Sequence, residues 1–485
     1  MQLDHLLKDL AVKEIYGDTK DKTVYAVRTD SRIMAKGELF IALNGENYNG
    51  HDYMKEAQRR GAVAIVCQQK NEGITVPQIV VEDARKALAV LAAAFYSHPE
   101  KKLKIIGITG TNGKTTTCHY LASILREAGK KTGFIGTLGT FYEGVSLAPD
   151  LTTPDPPRLF RIFSDMLKSG VEYVVMEVSA HAVYFQKVCS VDFAACIFTN
   201  CTQDHLDFFG DMENYKRVKE SLFTQGNYTF ALVNTDDALG VKIVRECKNA
   251  RSYGIVNPSD NFAVVEEESL NGSRVLFNLN DELCDAQLRL TGKYNVYNAL
   301  AAAACAHELK IDSEYIARGI YAVEKISGRL ESVGSVHGGQ IFVDFAHTPD
   351  GLENALSSLK ERCKGKLLCV FGCGGNRDAG KRPLMGEIAG KLTDFCVLTS
   401  DNPRYEEPYS IISAIENGYR KHSRNYVVVQ DRRKAIEYAM RRLQTDDVLL
   451  IAGKGGENYQ EIMGIKYEYN DNAVVKEVMQ KMLAE

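Results

Sequence analysis

The twelve cysteines of this 485-residue chain never form a C-x-x-C pair. Paired zinc ligands and a dithiol redox motif are therefore not expected; buried free thiols are. Basic charge is not in excess either, since 59 Lys and Arg stand against 63 Asp and Glu, a formal charge of −4. Nucleic-acid-binding domains usually show the opposite balance, so no nucleic-acid partner is expected. The most continuous apolar stretch, Ala87 to Tyr96, falls far short of the ~20 residues that span a bilayer, which excludes membrane insertion by a helix there. Acidic residues interrupt the apolar pattern of MQLDHLLKDL, which argues against a signal peptide and for a cytoplasmic location. There is no repeat of solenoid length and no low-complexity segment.

What is present has ordinary globular proportions, 45% hydrophobic and 25% charged. At roughly 150 residues per domain, the length suggests three domains. Residues 1–99 hold short strands such as ELFIAL and AVAIVC, then a helical run ending in SHPEKK, which reads as a linker. Residues 100–327 alternate strand and helix: KIIGIT, a helix from Thr115 to Ala128, TGFIG, EYVVMEVS and FAACIFTN. Residues 328–485 alternate again through IFVDFAH, KLLCVFGCGGN, DFCVLTSDNP, NYVVVQD and VLLIAGKGG, with EKISGRLESV as a second hinge. The expected fold is α/β. It has a central doubly wound, mostly parallel sheet with a phosphate-binding loop, a C-terminal Rossmann-like α/β domain and a smaller N-terminal α/β domain. In such sheets ligands bind beyond the carboxyl ends of the strands, and here the polar and glycine-rich residues collect just after the apolar runs.

The segment GITGTNGKTTTCHY, Gly107 to Tyr120, resembles a phosphate loop but miscounts. The usual spacing would put a glycine at Ile108, whereas the loop glycine is Gly110. The strand–loop–helix context is nonetheless what a phosphate cradle needs. Backbone N–H groups from Thr109 through Gly113 and the helix start would face an anion. Lys114 would reach the terminal phosphates, and Thr115 would offer a hydroxyl to Mg²⁺. Glu177 ends an apolar strand, where phosphate-loop enzymes often keep a carboxylate near the metal. His205 lies between Asp204 and Asp207 after another strand. Two further loops, GCGGNRDAGKRP and GKGGENYQ, fail as dinucleotide fingerprints because Arg377 and Asn458 stand where the last glycine belongs.

GTNGKTT, EVSAH, TNCTQDHLD, GKYNVYNALAA, SGRLE, VDFAHTPD and FGCGGNRDAGKRP occur in one order along nearly the whole chain. In that order they resemble the Mur ligase family, ATP-dependent amide-forming enzymes of peptidoglycan synthesis. The resemblance implies a carboxylate–amine ligase that uses ATP and Mg²⁺ and acts as a monomer in cell-wall biogenesis. Its catalytic set would be Lys114, Glu177, His205 and Lys219. Thr115, Glu177, His205 and Lys219, the last as a carbamate, would hold metal. By itself Lys219, in MENYKRVKESLF, reads as an ordinary solvated lysine. Asn295 and Asn298 would recognise adenine, although helix N-capping is the plainer reading of both. Arg329, Asp344 and His347 would contact ribose or phosphate. Ser31, Thr152, Thr153, Ser179 and Lys187 would bind a UDP-N-acetylmuramoyl-L-alanyl-D-glutamate acceptor. Lys187 stands where the family usually has arginine, Ala180 replaces a common serine, and Phe185 sits at an often polar place.

The TSDNPRYEEP loop resembles that of diaminopimelate-adding members. Meso-diaminopimelate is lysine with an added far-end carboxylate, which an arginine such as Arg404 can grip with two parallel bonds. Asp401, Asn402, Pro403 and Arg404 would form the amino-acid site with Arg382, Gly453 and Glu457. Gly456 and Asn458 depart from the usual histidine and aspartate. Three alternatives stay open from sequence: a lysine-adding ligase of the same family, a folylpolyglutamate synthase-like ligase, and a non-catalytic nucleotide switch.

Overall fold

In the computed structural model, which describes residues 1–45 and 48–484, the alternation of apolar residues along each strand feeds a different core on each face of the sheet. The chain divides into two compact units. The first comprises residues 1–109, 130–196 and 218–231. Its N-terminal sheet has the order Val12–Tyr16, Gln78–Val81, Ala64–Cys67, Leu39–Ile41, Val27–Arg28. Only the first pairing is antiparallel. Leu39, Ile41, Val66 and Ile79 pack on one face with Leu88 and Leu91 of the helix Ala84–Phe95. Phe40, Ile65 and Val80 pack on the other with Met54 and Ala57.

In the same unit the strand Tyr173–Glu177 lies parallel between Lys104–Thr109 and Thr132–Gly136, which carries Glu177 to the sheet's carboxyl end. The helix Pro156–Lys168 starts with Pro156 in its first turn, where a missing N–H costs nothing. SHPEKK is ordered: Pro99–Lys102 is a 3₁₀ turn with Pro99 and Glu100 buried.

The second unit comprises residues 110–129, 197–217 and 232–485. It begins with the helix Lys114–Glu127. A three-stranded antiparallel meander follows, Asn261–Ser269, Gly272–Leu279 and Glu282–Leu288, then the helix Lys293–Glu308. The C-terminal sheet runs Glu331–Val336, Gly339–Asp344, Val448–Ala452, Leu367–Phe371, Phe395–Leu398, Tyr426–Val428. All pairings after the first hairpin are parallel. Leu367, Cys369 and Phe371 pack with one core, while Leu368 and Val370 pack with another, so helices cover both faces. The second hinge is shorter than expected, because Glu331–Val336 continues as the edge strand of that sheet. The expected α/β class with parallel-rich sheets is what the chain adopts.

Candidate active site

The phosphate loop explains its own odd spacing. Gly110 has φ +150° and a Cβ there would overlap Thr199 Oγ1. Gly113 has φ +88° and a Cβ would overlap Asn298 Oδ1. Both places therefore demand glycine for conformation and for space. The loop is pinned from within: Thr111 N donates to Asn200 O at 2.9 Å and Asn112 N to Asn200 Oδ1 at 2.9 Å. These two N–H groups are engaged, so an anion is left the first turn of the helix, whose N–H groups have no intrahelical acceptor. Lys114 Nζ donates to Gly110 O and Thr111 O, both at 2.8 Å, which folds the cation back over the loop.

Other segments of the second unit meet this loop. Arg329 Nη2 donates to Thr115 Oγ1 at 3.0 Å, and its guanidinium lies over the Phe345 ring. Asn112 Nδ2 donates to Asp350 Oδ2 at 2.7 Å. Asp344, buried, accepts from Leu330 N and Ala346 N, so its carboxylate organises the start of the C-terminal sheet region. Burial raises its pKa, with Arg329 opposing.

Asn295 and Asn298 do not cap their helix; Gly292 holds the N-cap position. Asn295 Nδ2 donates to Thr291 O at 2.8 Å, and Thr117 Oγ1 donates to Asn298 Oδ1 at 3.3 Å. Asn298 is thus packed against the phosphate loop's own helix.

Asp204 is a node that sequence reasoning noticed only as a neighbour of His205. Its carboxylate lies 3.3 Å from His205 Nε2, 3.6 Å from His347 Nε2 and 3.6 Å from Lys381 Nζ. Burial alone would push this carboxyl up; the His347 hydrogen bond and the charges of His347, His205 and Lys381 outweigh it and hold it well below the usual range. His205 itself has φ +55°, an uncommon backbone state for a residue with a side chain. His347 Nδ1 faces Phe345 O at 2.8 Å, which puts a proton on that nitrogen.

The first unit holds a separate polar cluster. Glu177, 1% exposed, accepts from Thr137 N at 2.9 Å and Thr137 Oγ1 at 3.0 Å. Thr137 Oγ1 also meets Thr152 Oγ1 at 3.2 Å. Thr153 Oγ1 donates to Glu177 O and accepts from Ser179 N. Ser179 caps the helix Ala180–Tyr184 by accepting from Ala182 N. Lys187 Nζ pairs with Asp155 Oδ1 at 2.7 Å and reaches Thr153 O. Glu177, Thr152, Thr153, Ser179 and Lys187 are therefore brought together. Ser31 belongs to another cluster, donating to Glu56 Oε2. Phe185 carries the Arg85 guanidinium 4.4 Å above its ring, which gives a use to an apolar residue at an often polar place.

Lys219 is no solvated lysine. It falls on the buried stripe of its helix with Tyr215, Leu222 and Phe223, at 1% exposure. Lysine is almost never buried so fully without a charged partner or a changed charge.

Also in the second unit, the DNPR loop forms a charge-paired cluster. Arg382 makes two 2.8 Å bonds to Glu406, while its Nε is buried without a partner among the described residues. Arg404, with φ +52°, pairs with Glu461 at 3.2 Å and donates to Gly375 O at 2.8 Å. The Pro403 carbonyl packs against Gly375. A Cβ at Gly453 would come 2.7 Å from Asp401 Oδ2, so glycine there keeps that carboxylate in place. Asn402 Nδ2 donates to Glu457 Oε2 at 2.9 Å. Sequence reading missed Glu406, Glu461 and Lys454, whose Nζ reaches Asn402 Oδ1 and Glu457 Oε2. Their only signal was position: Glu406 and Lys454 lie in loops after apolar strands, and Glu461 in the short strand Tyr459–Ile462.

Comparison with known proteins agrees with this anatomy. The chain matches the Mur ligase family catalytic domain over residues 23–96, the Mur ligase middle domain over 108–306, and the Mur ligase glutamate ligase domain over 328–455. It is 40% identical over 485 residues, 99% of both chains, to a Syntrophomonas wolfei protein named UDP-N-acetylmuramoyl-L-alanyl-D-glutamate–2,6-diaminopimelate ligase. A solved structure of a ligase of that name aligns at TM-score 0.69 and 28% identity, covering 97% of each chain. A Mycobacterium tuberculosis folylpolyglutamate synthase structure shares the fold at TM-score 0.63 and 18% identity, covering 76% of this chain and 92% of its own. With the phosphate loop, the buried Glu177 and the DNPR loop in place, the conclusion is that this chain belongs to the Mur ligase family of ATP-dependent, amide-bond-forming enzymes.

Proposed function

We propose that this ligase adds meso-diaminopimelate to UDP-N-acetylmuramoyl-L-alanyl-D-glutamate, making a peptidoglycan precursor. The observation that carries the reading is the DNPR cluster, where Arg382 and Arg404 flank Asn402 and Glu457 with donors and acceptors of both charge signs. A far-end carboxylate suits the arginines and a far-end ammonium suits Glu457. Lysine would supply only the second.

The chemistry has a charge problem at every stage. ATP phosphorylates the acceptor carboxylate to an acyl phosphate, and the incoming amine displaces phosphate through a tetrahedral oxyanion. Lys114 holds its ammonium at the loop that cradles the phosphates, and Arg329 adds a second cation beside Thr115. Thr111, Asn112, Gly110 and Gly113 shape the loop, with Thr109 ending the strand before it. We keep adenine recognition for the Asn295 and Asn298 segment, and ribose or phosphate contact for His347. The acceptor site is assigned to Thr152, Thr153, Ser179 and Lys187, with Ser31 for the sugar nucleotide. Domain limits of 1–99, 100–327 and 328–485 are supported by the family matches, whose gaps fall at both proposed boundaries.

For Mg²⁺ the donor types suit the ion one by one: in the second unit Thr115 offers a hydroxyl, and in the first Glu177 offers a carboxylate, both hard oxygens. His205 adds an imidazole, and Lys219 fits only as a carbamate, whose oxygens replace a repelling ammonium. When bound, the ion supplies charge compensation for phosphate and acyl oxygens. The reading needs one copy of the chain, acting in the cytoplasm.

A phosphate-release assay with the UDP-muramoyl dipeptide tests the proposal. Diaminopimelate should support turnover, with kcat/KM for lysine lower by roughly 10⁴-fold, as expected when a site built for a polar group meets an analogue lacking it. Equal use of lysine overturns the substrate assignment.

A further inference from the structure

We propose that Lys454 is a positioning residue of the amino-acid site, one that fixes the direction of the Asn402 amide and divides the labour of the two Glu457 oxygens. The inference rests on the diaminopimelate reading above and names a residue that the reading does not use.

Lys454 is 0% exposed, a state lysine reaches only when paired. Its Nζ lies 2.8 Å from Glu457 Oε2 and 3.0 Å from Asn402 Oδ1. The Tyr459 and Tyr469 rings stand 5.6 and 6.0 Å from it, within reach of a cation–π attraction. An asparagine amide is nearly symmetric in shape, so packing alone does not choose between its two orientations. Here charge chooses. The ammonium can only donate and the carboxylate can only accept. Turning the amide over would set NH₂ against NH₃⁺ and C=O against COO⁻. Glu461 N, donating to Asn402 Oδ1 at 2.9 Å, votes the same way.

Two binding groups are produced by this arrangement. Asn402 Nδ2 spends one N–H on Glu457 and has no other partner among the described residues, so its second N–H is available to a carboxylate. Glu457 turns Oε2 inward to Lys454 and Asn402; Oε1 takes no hydrogen bond from a described residue, and the side chain is 23% exposed. That oxygen is available to an ammonium. An amino acid whose far end carries both groups satisfies both at once. Lys454 touches neither; it sets the angle and the charge of the residues that do.

The test is steady-state kinetics on the full chain with Lys454→Met, which keeps an unbranched side chain one atom shorter and removes its charge. KM for diaminopimelate should rise by about tenfold or more, with KM for ATP and for the UDP-substrate changed less than about twofold. The preference for diaminopimelate over lysine should fall by about tenfold, because the amide loses one of the groups that hold its orientation and samples the turned one more often. In an Asn402→Ala background the same substitution should leave that preference unchanged, since the amide it orients is gone. Should the Met variant not fold, Lys454→Leu, which also lacks both charge and donor, is read by the same ratios. All three KM values moving together, or an unchanged preference, overturns the role of Lys454. A wild-type enzyme that accepts lysine as readily as diaminopimelate overturns the substrate reading, and this inference with it.

Discussion

The phosphate loop and the DNPR cluster both lie in the second unit, but they are made of different materials. The first is shaped by backbone: two glycines with positive φ, each pressed against a polar side chain, and loop N–H groups tied to Asn200. The second is shaped by charge: Arg382 with Glu406, Arg404 with Glu461, Lys454 with Glu457. A backbone-built site has no room to spare and little dependence on pH. A charge-built site tolerates changes of volume but not of charge. Its internal carboxylates also hold the arginines in place before substrate arrives, so a substrate carboxylate must compete with them, and selectivity is a difference between two ion pairings.

The largest effect should come from Gly110→Ala. The added methyl meets Thr199 Oγ1 in a backbone conformation that already disfavours a side chain. Overpacking and strain together should cost about 2–5 kcal/mol and abolish ATP turnover. Gly129→Ala is the control, because Gly129 also has positive φ (+73°) but nothing within 4 Å of its Cβ direction. It should cost about 1 kcal/mol, read from urea unfolding. Equal losses for the two would mean that conformation, not space, makes the loop.

Lys219→Ala asks whether charge logic also rules the first unit. Removal of a lysine buried to 1% should eliminate turnover. Added short carboxylic acids should restore part of it, since they supply the oxygens that a carbamate would. Near-normal activity without additives would remove the carbamate from the account.

Which parts were legible in the sequence follows the same division. Strand-to-loop-to-helix order is local information, so the phosphate loop and every strand of the C-terminal sheet except its edge could be read from apolar runs. The reason for the loop's spacing could not: Thr199 and Asn298 are distant in sequence, and only folding brings them to Gly110 and Gly113. Lys219 was misjudged by its residue type, although it shares helical phase with Tyr215, Leu222 and Phe223. The capping reading of Asn295 and Asn298 failed because the helix starts at Lys293, before both. The antiparallel meander went unread despite a visible signal. Asn280 and Asp281 have φ of +49° and +71° between alternating strands, the residue types and conformation that a tight hairpin turn demands. Pairings such as Lys454 with Glu457 were out of reach, because a lysine after a strand gives no local sign of burial.

The smallest effect, and the sharpest discriminator, is the pH dependence of Glu406→Gln. Hydrogen bonds from Arg382 hold the Glu406 carboxyl below the usual glutamate range, with burial opposing. A carboxyl whose folded pKa lies below its unfolded value binds fewer protons when folded, so its contribution to stability is complete above the unfolded pKa, near ~4.3. It is lost as pH falls through the folded value. Wild type should therefore exceed the Gln variant by about 1 kcal/mol at pH 7, a modest figure because the Glu406 side chain is 30% exposed. Urea midpoints at descending pH should show that gap constant down to about pH 5 and closing below about pH 4. The gap between wild type and Gly110→Ala should stay constant over the same range, because a methyl clash has no proton to gain. If both gaps closed together with acid, the two sites would share one electrostatic origin and the contrast between them would fail.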